Sequence, residues 1–252
     1  MASYLITGSS RGIGFAVASF LAAKPATEIS KVFASARSES DGLKELIAKS
    51  DGRVEYVQLD VTSQESAKKA AGQVEQSLNG KGLDVLINNA GAMVFTPGGI
   101  QTMSDLDDTF KINVTGVHNV SSAFIPLLEK GNLKKVVNIS TTLGSMALAK
   151  NYAQMPVPSY KITKAALNML TVQYALDFAE KGFTFVAVSP GWINTDMGGS
   201  GADLTIEQGT KAVTDVIFRV GKEDSGKFLN VSVPGWENAT GLNRYDGGNP
   251  PW

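Results

Sequence analysis

Cysteine is absent and histidine occurs once, at His118. The first absence removes disulfides and thiolate nucleophiles. The second leaves no histidine cluster for a transition metal, so no metal site is expected and His118 reads as structural. An excess of either charge is missing too: 23 Lys and Arg stand against 24 Asp and Glu, a formal net charge of −1. That leaves no broad basic field for a polyanion, so no nucleic-acid partner is expected, and Lys68-Lys69 and Lys134-Lys135 read as solvated faces. No apolar run approaches the ~20 residues that span a bilayer, and no membrane partner is expected. A strand is expected from residue 3, with no cleaved leader ahead of it, and the expected compartment is the cytoplasm.

What is present is an apolar fraction of 43% over 252 residues, enough for one sizeable core and one domain over 1–252. Short apolar runs predict strands at 3–7, 31–36, 54–59, 83–87, 134–140, 183–188 and 228–231. Helical patterns lie between them at about 12–23, 39–49, 63–79, 104–130, 158–181 and 205–220. Such alternation predicts an α/β fold with a parallel sheet covered on both faces, and sites in such sheets lie beyond the carboxyl ends of the strands.

Two motifs fall at such ends. Ser3 to Thr7 feeds into Gly8-Ser9-Ser10-Arg11-Gly12-Ile13-Gly14 and then an apolar helix, the strand, glycine turn and helix start that admit a pyrophosphate to backbone N–H groups. Tyr160 and Lys164 are four residues apart on a helical pattern, so a phenol and an ammonium share a face. A nearby cation favours the phenolate, and the spacing predicts a Tyr160 made more acidic by Lys164.

Together with Asp60-Val61, Asn88-Asn89-Ala90-Gly91, Asn113, Asn138-Ile139-Ser140-Thr141 and Pro190-Gly191-Trp192-Ile193-Asn194-Thr195, these motifs resemble the short-chain dehydrogenase/reductase family, in family order over residues 3–195. The resemblance implies a Rossmann-type doubly wound sheet of about seven parallel strands, with a cofactor half at about 1–130 and a catalytic half at about 131–252. It implies a nicotinamide cofactor held by Gly8, Ser10, Arg11, Gly12, Ile13, Gly14, Asp60, Val61, Asn89, Ala90, Gly91, Pro190, Gly191, Ile193 and Thr195, with Tyr160 and Lys164 reaching it as well. No acidic residue closes the second strand; Arg37 follows it and Arg11 stands in the glycine turn. Two guanidinium groups converging on a 2′-phosphate predict NADP(H) rather than NAD.

By the same resemblance Tyr160 donates a proton to a carbonyl, Lys164 tunes it and holds the nicotinamide ribose, and Asn113 positions a water. The family's second serine is here Thr141, with Ser140 beside it. Adjacent strand residues face opposite ways, which favours Thr141 as the catalytic hydroxyl and leaves Ser140 as the alternative. Thr141 and Tyr160 are nineteen positions apart, a longer interval than is common in the family. The added segment around 146–158, with Leu143, Met146, Trp192 and Met197, is expected to wall an apolar pocket, and 191–210 to form a lid.

The finer resemblance is to carbonyl reductases of the sniffer type and to fungal polyketide ketoreductases such as norsolorinic acid ketoreductase, carried partly by a tail running from Tyr245-Asp246-Gly247 to Trp252. It implies reduction of a ketone or aldehyde, hydrophobic or aromatic, as small-molecule substrate. The alternative is an NADPH-binding sensor with little turnover. A homodimer or homotetramer is expected through the helices at 104–130 and 158–181, with Ala165, Leu167, Met169, Leu170, Val172 and Ala175 serving that contact or the core. Pro234-Gly235-Trp236-Glu237-Asn238 has no assigned role.

Overall fold

Short runs rich in apolar residues form, among the described residues, seven strands whose two faces are both covered. A computed structural model of the chain describes residues 1–236, 238, 239 and 241–252; Glu237 and Thr240 lie outside the described residues. The strands are β1 Ala2–Thr7, β2 Ile29–Ala36, β3 Val54–Gln58, β4 Val85–Asn88, β5 Lys135–Ile139, β6 Thr184–Ser189 and β7 Phe228–Asn230. The helices are α1 Gly12–Ala22, α2 Asp41–Ala48, α3 Gln64–Leu78, α4 Leu106–Phe110, α5 Gly116–Glu129, α6 Pro158–Asp177 and α7 Ile206–Arg219. All seven strands are parallel in one sheet of order β3-β2-β1-β4-β5-β6-β7. The order reverses between β1 and β4, and a crevice at that reversal is where such sheets bind ligands.

Successive strand residues enter opposite cores. Leu5, Leu86, Val136 and Phe185 pack with Val74, Phe124 and Leu128 of α3 and α5. Their neighbours Ile6, Ile87, Val137 and Val186 pack with Leu21, Leu43, Val213 and Ile217 of α1, α2 and α7. Each fully buried side chain of this size stabilises the fold by about 1.5–3 kcal/mol before entropy is counted.

Helix starts follow local chemistry. Ser40, Ser63 and Thr205 cap α2, α3 and α7 through their hydroxyls, and Thr205 with Gln208 forms a reciprocal capping box. β4 begins at Val85, two residues later than expected, because Asp84 serves as an anchor: its carboxylate accepts the Ser3 N–H at 2.8 Å and the Asn132 N–H at 2.8 Å. The single helix expected over 104–130 is divided by a π turn, Lys111–Thr115, between α4 and α5. The one over 158–181 ends at Asp177, with a 3₁₀ turn at Ala179–Lys181.

A polar rung crosses the carboxyl edge of the central strands. In the parallel register Asn88 lies opposite Asn138; Asn88 Nδ2 donates to Asn138 Oδ1 at 2.8 Å, and Asn138 Nδ2 donates to Thr171 Oγ1 on α6 at 2.9 Å. β5 is thereby tied to β4 on one side and to α6 on the other, directly beneath the cleft. No helix among the described residues is long and apolar enough to cross a membrane.

Candidate active site

The glycine turn is shaped by close approach. Gly12 has φ 58°, in the left-handed region, and a methyl group on Gly14 would fall inside contact distance of the Gly8 carbonyl and of Asn89 Nδ2. Thr7 Oγ1 accepts the N–H groups of Asn89 and Ala90 at 2.9 and 3.0 Å, and Asn89 Nδ2 donates to the Thr7 carbonyl at 2.9 Å. Ser40 Oγ donates to the Ser10 carbonyl at 2.9 Å. The backbone of the turn is thus fixed from β4 and from the start of α2. Helix α1 then opens without a side-chain cap and without an acidic residue in its first turn, so its leading amides and the positive end of its dipole are left for an anion.

The π turn explains where Asn113 points. Asn113 is fully buried; its Oδ1 accepts the Ala92 N–H at 2.8 Å, and its Nδ2 donates to the Ala92 carbonyl at 2.9 Å and to Thr163 Oγ1 at 3.0 Å. Thr163 Oγ1 in turn donates to the Tyr160 carbonyl at 3.0 Å. The side chain therefore joins the segment after β4 to the first turn of α6. Extra backbone in that π turn is a frequent device at functional sites. A methyl group on Gly91 would lie 3.3 Å from Asn113 Oδ1 and 3.7 Å from Lys164 Nζ. Gly91, Asn113 and Lys164 therefore border one space, and the missing Cβ keeps it open. The uncapped α1 amides at one end and this space at the other fit a dinucleotide.

Tyr160 and Lys164 lie one turn apart on α6, with Nζ 5.6 Å from the centre of the phenol ring. Lys164 is buried and donates to the Ile139 carbonyl at 2.7 Å. Burial pushes the Tyr160 phenol up to about 12 and the Lys164 ammonium down to about 8. The acidified Tyr160 expected from its neighbour is thus not what this arrangement gives. Nζ is directed to the end of β5, and removal from water is what raises the phenol.

Register at the end of β5 separates the two hydroxyls. Ser140 is buried, and its Oγ donates to Asn168 Oδ1 at 2.5 Å. Thr141 is extended, only partly buried, and its Oγ1 accepts the Leu143 N–H at 3.2 Å, which leaves its proton free to be donated.

At the other end Asp60 follows β3. Hydrogen bonds from the Thr62 hydroxyl and N–H, at 2.8 and 2.9 Å, hold its carboxyl below the usual range. Val61 packs against Gly116 and its carbonyl accepts from Asn119 Nδ2 at 3.1 Å. A cavity of about 360 Å³ is lined by Arg37, Asp60, Ser66 and Lys69 among others. Lys69, expected on a solvated face, is exposed there and pairs with Glu65 one turn back on α3, while also bordering the cavity beside Arg37. Arg11 does not converge there. Its guanidinium pairs with Asp196 at 2.5 Å, both side chains being exposed.

That segment faces the glycine turn. A methyl group on Gly12 would lie 3.8 Å from Thr195 Cγ2, and Ile193 and Leu204 form an isolated bridge behind it. The residues around 146–158 are held rather than loose: Lys161 Nζ donates to the Tyr152 carbonyl at 2.5 Å, and the Pro156 carbonyl accepts the Thr96 N–H at 2.7 Å. Met146, Trp192 and Met197 are exposed.

Fold and site together define a nucleotide-dependent oxidoreductase. The family model for short chain dehydrogenase matches residues 3–203. The short-chain dehydrogenase/reductase AacuF of Aspergillus aculeatus is 37% identical over 205 residues, 77% of this chain and 75% of that protein. Among solved structures, NADPH-bound carbonyl reductase from chicken fatty liver superposes with TM-score 0.86 at 31% identity, covering 100% of this chain and 94% of that one. Carbonyl reductase Sniffer of Drosophila melanogaster superposes with TM-score 0.85 at 26% identity, covering 100% of both. The chain belongs to the short chain dehydrogenase family.

Proposed function

We propose that this chain, acting as one domain over 1–252, uses NADPH to reduce a ketone or aldehyde to an alcohol. The observation that carries the reading is the Tyr160 and Lys164 pair, one turn apart beside the space left by Gly91. Bound NADPH supplies the hydride. Tyr160 supplies the proton: with its pKa near 12 it stays protonated at neutral pH, and a developing alkoxide, about as basic as hydroxide at roughly 15.7, takes that proton downhill. Thr141 donates its hydroxyl to the same oxygen, and Lys164 keeps two N–H groups for the ribose. Glycines 8, 12 and 14 with Ser10 and Ile13 hold the pyrophosphate. Asp60, Val61, Asn89 and Ala90 would flank the adenosine, Arg37 would meet the 2′-phosphate, and Pro190, Gly191, Ile193 and Thr195 would line the nicotinamide side.

Exposed Met146, Trp192 and Met197 support a hydrophobic or aromatic substrate, a polyketide-type ketone included. Along α6, Leu167 and Ala175 belong to the core, whereas Ile162, Met169 and Leu176 form an exposed apolar row at seven-residue spacing; that row supports a homodimer or homotetramer. The cytoplasm is the compartment this reading assigns.

NADPH consumption across aromatic and aliphatic carbonyls tests the reading. Turnover is expected, with Tyr160→Phe lowering kcat by roughly 10²–10⁴-fold while NADPH still binds. Tight NADPH binding without turnover on any carbonyl would instead support a sensor.

A further inference from the structure

The tail after β7 lies beyond the matched residues 3–203, yet it reaches the cleft wall. Asn230 and Val233 donate their N–H groups to the Gly248 and Tyr245 carbonyls, each at 2.9 Å, and Gly247 N–H donates to the Val231 carbonyl at 3.0 Å. This antiparallel return buries Tyr245, 3% exposed, with the Trp236 ring 5.0 Å away. Its hydroxyl accepts the Trp192 N–H at 3.1 Å and donates to Asp203 Oδ2 at 2.6 Å; Asn243 Nδ2 donates to the same oxygen at 2.7 Å. Trp192 and Asp203 stand at the two ends of the segment over the glycine turn. Those ends are also joined to each other: Leu204 N–H donates to the Trp192 carbonyl at 3.0 Å, and Asn194 N–H donates to the Leu204 carbonyl at 2.9 Å. A methyl group on Gly191 would lie 2.7 Å from Leu204 Cδ1 and 3.1 Å from the Tyr245 ring, so the hinge rests on that ring.

We propose that Tyr245 and Asp203 are positioning residues that clasp both hinges of the 192–204 segment, confine its movement to 194–202, and so set the width of the carbonyl pocket and the size of substrate it takes. The effect on substrate size rests on the proposed reduction; the clasp itself does not. Tyr245 fixes the backbone of Trp192, whose indole Nε1 donates to the Gly198 carbonyl at 2.8 Å. The hydroxyl therefore controls where both the Trp192 ring and the Gly198 turn stand.

Tyr245→Phe keeps the ring and removes the two hydroxyl contacts. Hydrogen exchange followed by mass spectrometry is expected to show at least roughly fivefold faster exchange over 190–204, the size of one lost net hydrogen bond and the lower bound for two, with Thr184–Ser189 unchanged. In parallel, KM for a bulky aryl ketone is expected to shift by roughly fivefold with kcat held, while KM for a small aldehyde stays put. Asp203→Asn, which retains an oxygen acceptor, is expected to be milder than Asp203→Ala. Unchanged exchange over 190–204, uniformly faster exchange across the sheet, or equal KM changes for the two carbonyls would each overturn the proposal. Should the parent protein reduce no carbonyl at all, the reductase reading falls and the exchange result alone decides the clasp.

Discussion

Ser140 gives its hydroxyl proton to Asn168 Oδ1 across 2.5 Å, one helical turn along α6 from Lys164. The Ser140 hydroxyl is buried and already donates, whereas the Thr141 hydroxyl is an acceptor from Leu143 N–H. Thr141→Val is therefore expected to lower kcat by roughly 10²–10³-fold, the range for loss of one oxyanion donor. Ser140→Ala is expected to leave kcat within a few-fold and to reduce stability by about 1–3 kcal/mol, because buried Asn168 loses its partner. Steady-state kinetics and urea unfolding on both variants decide it.

Lys164 bears a charge in a place that disfavours charge. Its pKa falls from 10.5 to about 8, so the folded state binds its proton less well than the unfolded chain. Below pH 8 the full penalty applies, about 3 kcal/mol, and it fades as pH rises from about 8 to 10.5. The stability of the parent relative to Lys164→Met, which also loses the bond to the Ile139 carbonyl, is expected to rise between pH 7 and pH 10 in urea titrations. The same variant is expected to be inactive. In the parent, kcat/KM is expected to decline above pH about 8, where the free protein loses that ammonium.

Arg37 and Arg11 carry equal charge but different duties. Arg37 lines the cavity with Lys69, while Arg11 lies outside its lining and pairs with Asp196 at the surface. Arg37→Ala is expected to weaken NADPH binding by roughly 10–100-fold, the span for hydrogen bonds to a charged group, with little change for NADH. Arg11→Ala is expected to shift NADPH affinity less than about threefold, since exposed ion pairs contribute little. Calorimetric titration with both dinucleotides checks each.

Asn113 joins Ala92 to the Thr163 hydroxyl. Asn113→Ala is expected to reduce stability by about 1–3 kcal/mol through unpaired polar groups. It is also expected to lower kcat/KM by roughly tenfold or more, because the Gly91 wall and the Tyr160 turn lose their common support. Chemical unfolding and kinetics on one preparation separate the two effects.

Strand positions were legible because the parallel sheet needs apolar runs buried on both faces, and residues such as Ile6, Ile87 and Val186 carry that requirement in their side chains. The glycine turn was legible for a similar reason: at Gly14 only hydrogen fits. The π turn was not, since Lys111 to Thr115 holds no glycine or proline to mark a break, and its Asn113 is held by the distant Ala92 backbone. Nor was the fate of Arg11, decided by Asp196 185 residues away, or that of Tyr160, whose burial depends on the whole cleft. Helix spacing placed Tyr160 and Lys164 on one face correctly, but it carried no information about dielectric surroundings.

The amide pair Asn88 and Asn138 works as a gauge for chain assembly. A one-residue slip of β5 along β4 would take Asn138 away from both Asn88 and Thr171, leaving Asn88 with Ser121 alone, and would turn Thr141 to the opposite face, so a misthreaded sheet is penalised at the same stroke that would disable it. Correct threading of the middle of the molecule and competence for chemistry are thus a single condition.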